Sequence, residues 1–147
     1  MVVGTRYTQH RLDQKMSKML TEANRDIAAE YTAALAPIAA DISGKIRGSG
    51  FGGDHNEEFA KQETKAWRAG SGRLNVLFGW LNPSDHAHER GSNGRLWYQY
   101  ADAGFHLFGG PRWIDGVGAT IDRRERVIEA IEEVNRRWIS DIARAGS

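Results

Sequence analysis

The chain has 147 residues, a formal net charge of +1 and no cysteine. At this length one domain is expected, with a core large enough to fold without a staple. Disulfides and thiolate metal sites are excluded, and a charge so near zero argues against wholesale binding of nucleic acid or anionic membrane.

Met1 to Thr8 has no apolar core and does not read as a secretory signal. No run reaches the roughly 18–20 apolar residues that span a bilayer, so a soluble, cytoplasmically made protein is expected. From Leu12 to Ile46 apolar residues recur every three or four positions: Leu12, Met16, Leu20, Ala23, Ile27, Tyr31, Leu35, Ile38, Ile42 and Ile46. That stripe predicts a long helix over 12–46. Pro37 predicts a kink or break near Ala33 to Ala36, because proline removes one hydrogen bond and crowds the preceding turn. Gly44 and the run Gly48 to Asp54 are expected to end the helix in a flexible glycine-rich loop over 47–63, with Glu57 to Thr64 either a short helix or more loop.

Lys65 to Arg68 reads as a short strand, and Gly70-Ser71-Gly72 as a turn. Leu74, Val76, Phe78 and Trp80 alternate with Asn75, Leu77, Gly79 and Leu81, the period of a strand with one apolar face. Asn82 to Gly94 is a polar loop rich in turn formers. Leu96 to Ala103 is predicted to return to strand, and Phe105 to Phe108 to continue it past a bulge at Gly104, before a turn at Gly109-Gly110-Pro111. A last helix is predicted over 118–145, starting near Gly118 to Asp122, with Asp122 and Glu125 as a cap pair. Its apolar face is Val127, Ile128, Ile131, Val134, Trp138, Ile139 and Ile142. Arg123, Arg126, Arg137 and Arg144 fall on one flank and Glu125, Glu129 and Glu132 on the other; Glu132–Arg136 and Glu133–Arg137 are expected pairs. The pattern is α+β, a long N-terminal helix and a C-terminal helix packed on a small antiparallel sheet.

Asp85-His86-Ala87-His88-Glu89 is the cluster with metal-ligand chemistry. In an extended segment His86 and His88 point to opposite sides, and the HExxH helix of zinc hydrolases is absent, so a polar loop tip is the favoured reading and no metal or cofactor is assigned. The Gly48 to Gly53 loop lacks the Gly-Lys-Ser/Thr ending of a phosphate cradle. No nucleophile-elbow serine or threonine is present. Asp102, set among aromatics, reads as a strand carboxylate satisfied by backbone N–H groups or an arginine. Trp97, Tyr98, Tyr100, Phe105 and Phe108 would suit a base-stacking platform, but Arg95 and Arg112 only flank them, and packing or subunit contact explains them better. The alternative of a different class is a small metal-dependent or acid–base enzyme built around His86, His88 and Asp102.

Ser71-Gly72-Arg73-Leu74 resembles the Thr-Gly-x-Leu turn that opens the first hairpin in a family of tailed-phage proteins. Trp97-x-x-Tyr100-x-Asp102-x-Gly104 resembles that family's aromatic, tyrosine, acidic, glycine strand, and Gly118-Ala119-Thr120-Ile121 leads into a terminal helix as theirs does. The resemblance spans Met16 to Ala145, and the family is that of head–tail joining proteins of long-tailed phages, called tail-completion, tail-terminator or neck proteins. It implies a non-enzymatic virion protein, assembled in the host cytoplasm into a hexameric ring that caps the tail tube and meets the head–tail connector. The implied partners are sister copies, the major tail tube protein and the connector or stopper, with no membrane and no sequence-specific nucleic acid. Another neck component, a stopper or adaptor, is the near alternative. The loops at Gly48 to Gly53 and Ser84 to Gly94 would reach tube or connector. Subunit or partner contacts are assigned to Phe51, Trp67, Trp97, Tyr98, Tyr100, Arg126, Arg137, Glu129 and Glu132.

Overall fold

The computed structural model describes residues 2–6, 27–68, 74–106 and 112–145. The expected stretch 12–26 of the first helix, the Ser71 to Arg73 turn, Phe108, the Gly109 to Pro111 turn and the side chain of Ile142 lie outside the described residues. The fold is α+β, as the pattern predicts.

Helix α1 runs Ile27–Ser49. Its buried stripe is Tyr31, Leu35, Ile38, Ile42 and Ile46, matching the apolar period. The helix is continuous across Pro37 rather than broken there. Both Pro37 and Ala33, whose carbonyl loses its donor, face outward, so water can satisfy the freed group. It also runs through Gly44 and Gly48, beyond the expected end. Asn56 then closes it: Nδ2 donates to the Ile46 carbonyl at 3.0 Å and to the Phe51 carbonyl at 2.7 Å. The first bond adds to the Ser49 Oγ donor on a helix-end carbonyl, and the second pins the turn that follows the helix.

The glycine-rich segment is a packed turn. Phe51 is 2% exposed and meets Phe59 edge-on, ring centroids 4.9 Å apart. Gly52 sits at φ 85°, and a Cβ there would fall 2.4 Å from the Phe59 ring, so only glycine fits. A 3-10 turn, Gly53–His55, leads into helix α2, Asn56–Ala60.

Strands β2 (Glu63–Arg68) and β3 (Leu74–Gly79) form the expected antiparallel hairpin, with Lys65 opposite Leu77. Val76, Phe78 and Trp80 are buried, the alternation read from sequence. Trp80 Nε1 donates to the Phe59 carbonyl at 2.7 Å, pairing the one polar atom of a buried indole. Strand β1, Val2–Arg6, was not expected; it pairs antiparallel with β3 and gives the order β1-β3-β2. A second 3-10 turn, His86–His88, lies in the long loop.

Residues Trp97–Ala103 form helix α3, where a strand was expected. Leu96 N–H donates to Gln99 Oε1 at 3.2 Å, capping the first turn, and Gly104 at φ 92° stops it. Ala101 is buried, while Trp97, Tyr98 and Tyr100 pack against the core from its sides. Strands β4 (Phe105–His106) and β5 (Arg112–Ile114) make a separate two-stranded ribbon with a register irregularity.

The C-terminal helix is preceded by a short helix, α4 (Val117–Thr120). The chain turns at Asp122, φ 52°, and α5 runs Arg123–Ala145. Val127, Ile131, Val134 and Trp138 are buried, each apolar side chain adding about 1.5–3 kcal/mol. Helix α1 packs on β2, and α5 lies against α1 and reaches β1, so both helices cover the sheet. Asn135, buried on α5, accepts a hydrogen bond from the Tyr31 hydroxyl, and Trp138 Nε1 donates to Glu30.

Candidate functional site

Three titratable side chains meet beside the second 3-10 turn. His55 ends the first 3-10 turn, Glu58 stands in the first turns of α2, and His86 opens the second turn, 28 residues further along. Glu58 Oε2 accepts from the His86 backbone N–H at 2.9 Å and lies 2.8 Å from His86 Nδ1. Its other oxygen lies 3.2 Å from His55 Nδ1. The imidazoles stack at 3.5 Å between centroids with planes 21° apart. His86 Nε2 faces Glu89 at 3.7 Å. All three side chains are partly open to solvent.

The electrostatics follow from this geometry. The His86 backbone N–H and then its imidazole hold the Glu58 carboxyl down to about 2. The Glu58 hydrogen bond raises His86, with smaller help from the charges of Glu58, Glu89 and Asp85. Beside the cluster an open groove of about 530 Å³ is lined by Ser43, Arg47, Glu57, Lys61, Gln62 and Asp85 as well as Glu58. On its wall Arg47 grips Glu57 through two bonds of 2.9 and 3.0 Å.

The trio His86, His88 and Asp102 is divided among three separate settings. His88 Nε2 donates to the Trp80 carbonyl at 2.9 Å and meets Tyr98 edge-on, so it fastens the loop to the core. Asp102 is held by Arg123, whose Nε donates to Oδ1 at 2.9 Å. Arg123 is fully buried, which corrects its expected place on the outer basic flank. Asp102 is thus satisfied by an arginine, though on a helix.

The residues assigned to subunit contact divide likewise. Phe51 is core, and that assignment is corrected: its ring is consumed by Phe59. Tyr98 stacks on Trp80 at 5.6 Å and Trp97 tilts against Tyr100 at 5.4 Å, leaving these aromatics half-buried. Arg126 is only partly exposed and pairs within the chain, its Nη1 2.5 Å from Asp41 on α1. Glu129, Glu132 and Arg137 are exposed on α5. The pair formed there is Glu133–Arg136, three residues apart, rather than either four-residue pair. Trp67 on β2 is 38% exposed, and Ile139, expected on the apolar face, is 40% exposed.

Sequence reasoning missed His55 and Glu58 as partners of His86. Their His-x-x-Glu spacing, which puts both on one face of a helical turn, was the available signal. Comparison with known protein families, curated proteins and solved structures gives no match.

Proposed function

We propose that this protein is a structural subunit of a tailed-phage virion, a tail-completion protein that closes head to tail into a hexameric ring. The ring sits at the head-proximal end of the tail tube and joins it to the connector. One observation carries the reading. The two large apolar side chains exposed among the described residues, Trp67 and Ile139, stand on two different elements, β2 and α5. A ring needs two unlike, complementary patches on each subunit, whereas a two-fold dimer needs one patch used twice. Tryptophan is also the residue most often found as an interface anchor.

Further support comes from the sheet. Among the described residues β2 pairs with β3 alone, so its outer edge offers backbone groups to a neighbour. Exposed charges of both signs on α5 give a rim suited to steering sister copies. The Ser71 to Leu74 and Gly118 to Ile121 motifs supply the phage context, whereas Trp97 to Ala103 forms a helix where the family has a strand; this reading assigns the protein no catalysis.

Light scattering of the purified protein, alone and mixed with its phage's tail tube protein, tests the proposal. A ring-sized mass, alone or on the tube, is expected, and Trp67→Glu should reduce it to subunit mass. A protein that stays monomeric and associates with no tail or connector component would overturn it.

A further inference from the structure

Nothing in the assembly reading uses the junction of His55, Glu58 and His86. One ligand atom from each lies within 4.8 Å of the other two. A zinc ion holds nitrogen and oxygen donors at about 2.0–2.2 Å, which spaces neighbouring donors by about 3.3 Å around a tetrahedron. Glu58 Oε1 stands 3.2 Å from His55 Nδ1, near that spacing, and Oε2 stands 2.8 Å from His86 Nδ1, a hydrogen-bond distance that must open by about 0.5 Å to admit an ion. The stacked rings bring both Nδ1 atoms to the same carboxylate. Closing on an ion therefore needs side-chain rotation and no new backbone path.

Two features separate this junction from a chance surface cluster. The carboxylate is oriented in advance, because the His86 backbone N–H fixes Oε2 at 2.9 Å. And the far nitrogen of His86 faces Glu89 at 3.7 Å, just outside hydrogen-bond distance, where a small side-chain rotation would give the carboxylate–histidine pairing common behind metal-ligating imidazoles. His86 lies between two carboxylates, Glu58 at 2.8 Å and Glu89 at 3.7 Å, a setting that favours a cation.

We propose that His55 Nδ1, His86 Nδ1 and a Glu58 oxygen form a binding site for a divalent transition metal of the zinc class. Water fills the remaining position, which the half-open setting allows. On binding, each Nδ1 gives up its proton; His86 carries its proton on Nε2 toward Glu89, and the surplus leaves to solvent. Two imidazoles and one carboxylate suit zinc, nickel or copper; calcium and magnesium, which take oxygen donors, are disfavoured. Such an ion would clip the turn after α1 to the 82–94 loop. The site stands independently of the assembly reading.

The test uses tag-free, chelator-stripped full-length protein titrated calorimetrically with zinc chloride and followed by visible absorption with cobalt(II). One ion per chain, with a Kd on the order of micromolar or tighter, is expected, together with a higher unfolding midpoint in zinc and none in magnesium. His55→Ala, His86→Ala and Glu58→Gln should each weaken binding by about tenfold or more, and Glu89→Gln by up to about tenfold. Circular dichroism confirms that each variant is folded, and Glu58→Gln, which keeps the side-chain shape, decides if an alanine variant is not. Absence of stoichiometric zinc binding, or cluster variants that bind like the parent, overturns the proposal.

Discussion

Arg123 is the one buried charged side chain among the described residues. It is completely buried, and its guanidinium meets one oxygen of Asp102: Nε donates at 2.9 Å, and Nη2 lies 2.7 Å away in ion-pair contact off the hydrogen-bonding direction. Nη1 is buried and has no hydrogen-bond partner among the described residues. A one-oxygen grip of this kind gains less than a two-pronged one, yet breaking it strands a buried charge. Asp102→Ala should therefore lower unfolding free energy by about 3–5 kcal/mol in urea, while Asp102→Leu with Arg123→Met should cost much less. Equal losses in both would show that packing, not charge, sets the cost. Asp122 offers the opposite case. It stands at φ 52°, and its hydrogen bond and charge, with burial and Glu129 after them, raise the Glu125 carboxyl. A carboxyl raised on folding contributes stability that is full below the unfolded value and lost as pH climbs through the raised one. At neutral pH the pair therefore opposes folding. Asp122→Asn removes the repulsion, and asparagine tolerates this backbone region. Its Tm should exceed the parent's near pH 7, with the gain fading near pH 3; a gain equal at both would place the effect in the backbone.

At the scale of elements, legibility followed periodicity. α1 and α5 announced their buried faces because long stripes average out local preference, and β3 did so by strict alternation. α3 was misread because Trp97, Tyr98 and Tyr100 carry strand preference, and a seven-residue helix is too short for its period to override that. The decisive signals were the Gln99 cap and the Gly104 stop. β1 was invisible: Val2–Arg6 gains its strand from pairing with β3, a contact that no local pattern encodes. The candidate site was half legible for the same reason. His86 stood out in its histidine-rich loop, but Glu58 arrives from a helix 28 residues earlier. Glycines sort the elements further. Gly44 lies in mid-α1, exposed, with nothing within 4 Å of an added Cβ, so Gly44→Ala should stabilise by about 0.5–1 kcal/mol. At Gly116 an added Cβ would fall 2.4 Å from the Asp102 carbonyl oxygen and the Ala103 carbonyl carbon. Backbone must move there, and Gly116→Ala should cost about 1–3 kcal/mol. Urea unfolding of the two variants checks the opposite signs; a loss in both would mean that Gly44 also meets a neighbour.

The whole molecule's arrangement bears on how copies would join. β2 carries Trp67 and packs on α1, while α5 carries Ile139 and reaches β1 at the sheet's other margin. If copies join head to tail, each contact uses the Trp67 side of one subunit and the Ile139 side of the next. Trp67→Glu then destroys one side and Ile139→Asp the other, and either variant alone stays at subunit mass. Mixed together, the two variants still share one intact pair of surfaces: the Trp67 side of the Ile139→Asp chain meets the Ile139 side of the Trp67→Glu chain. The mixture should therefore give a dimer that grows no further, because both of its outer surfaces are broken. A two-fold interface built on Trp67 alone gives a different pattern: Ile139→Asp assembles like the parent, and mixing rescues nothing. Light scattering of the two variants, separately and mixed, distinguishes the geometries without knowledge of the ring number, and a mixture that remains at subunit mass would sink the head-to-tail arrangement.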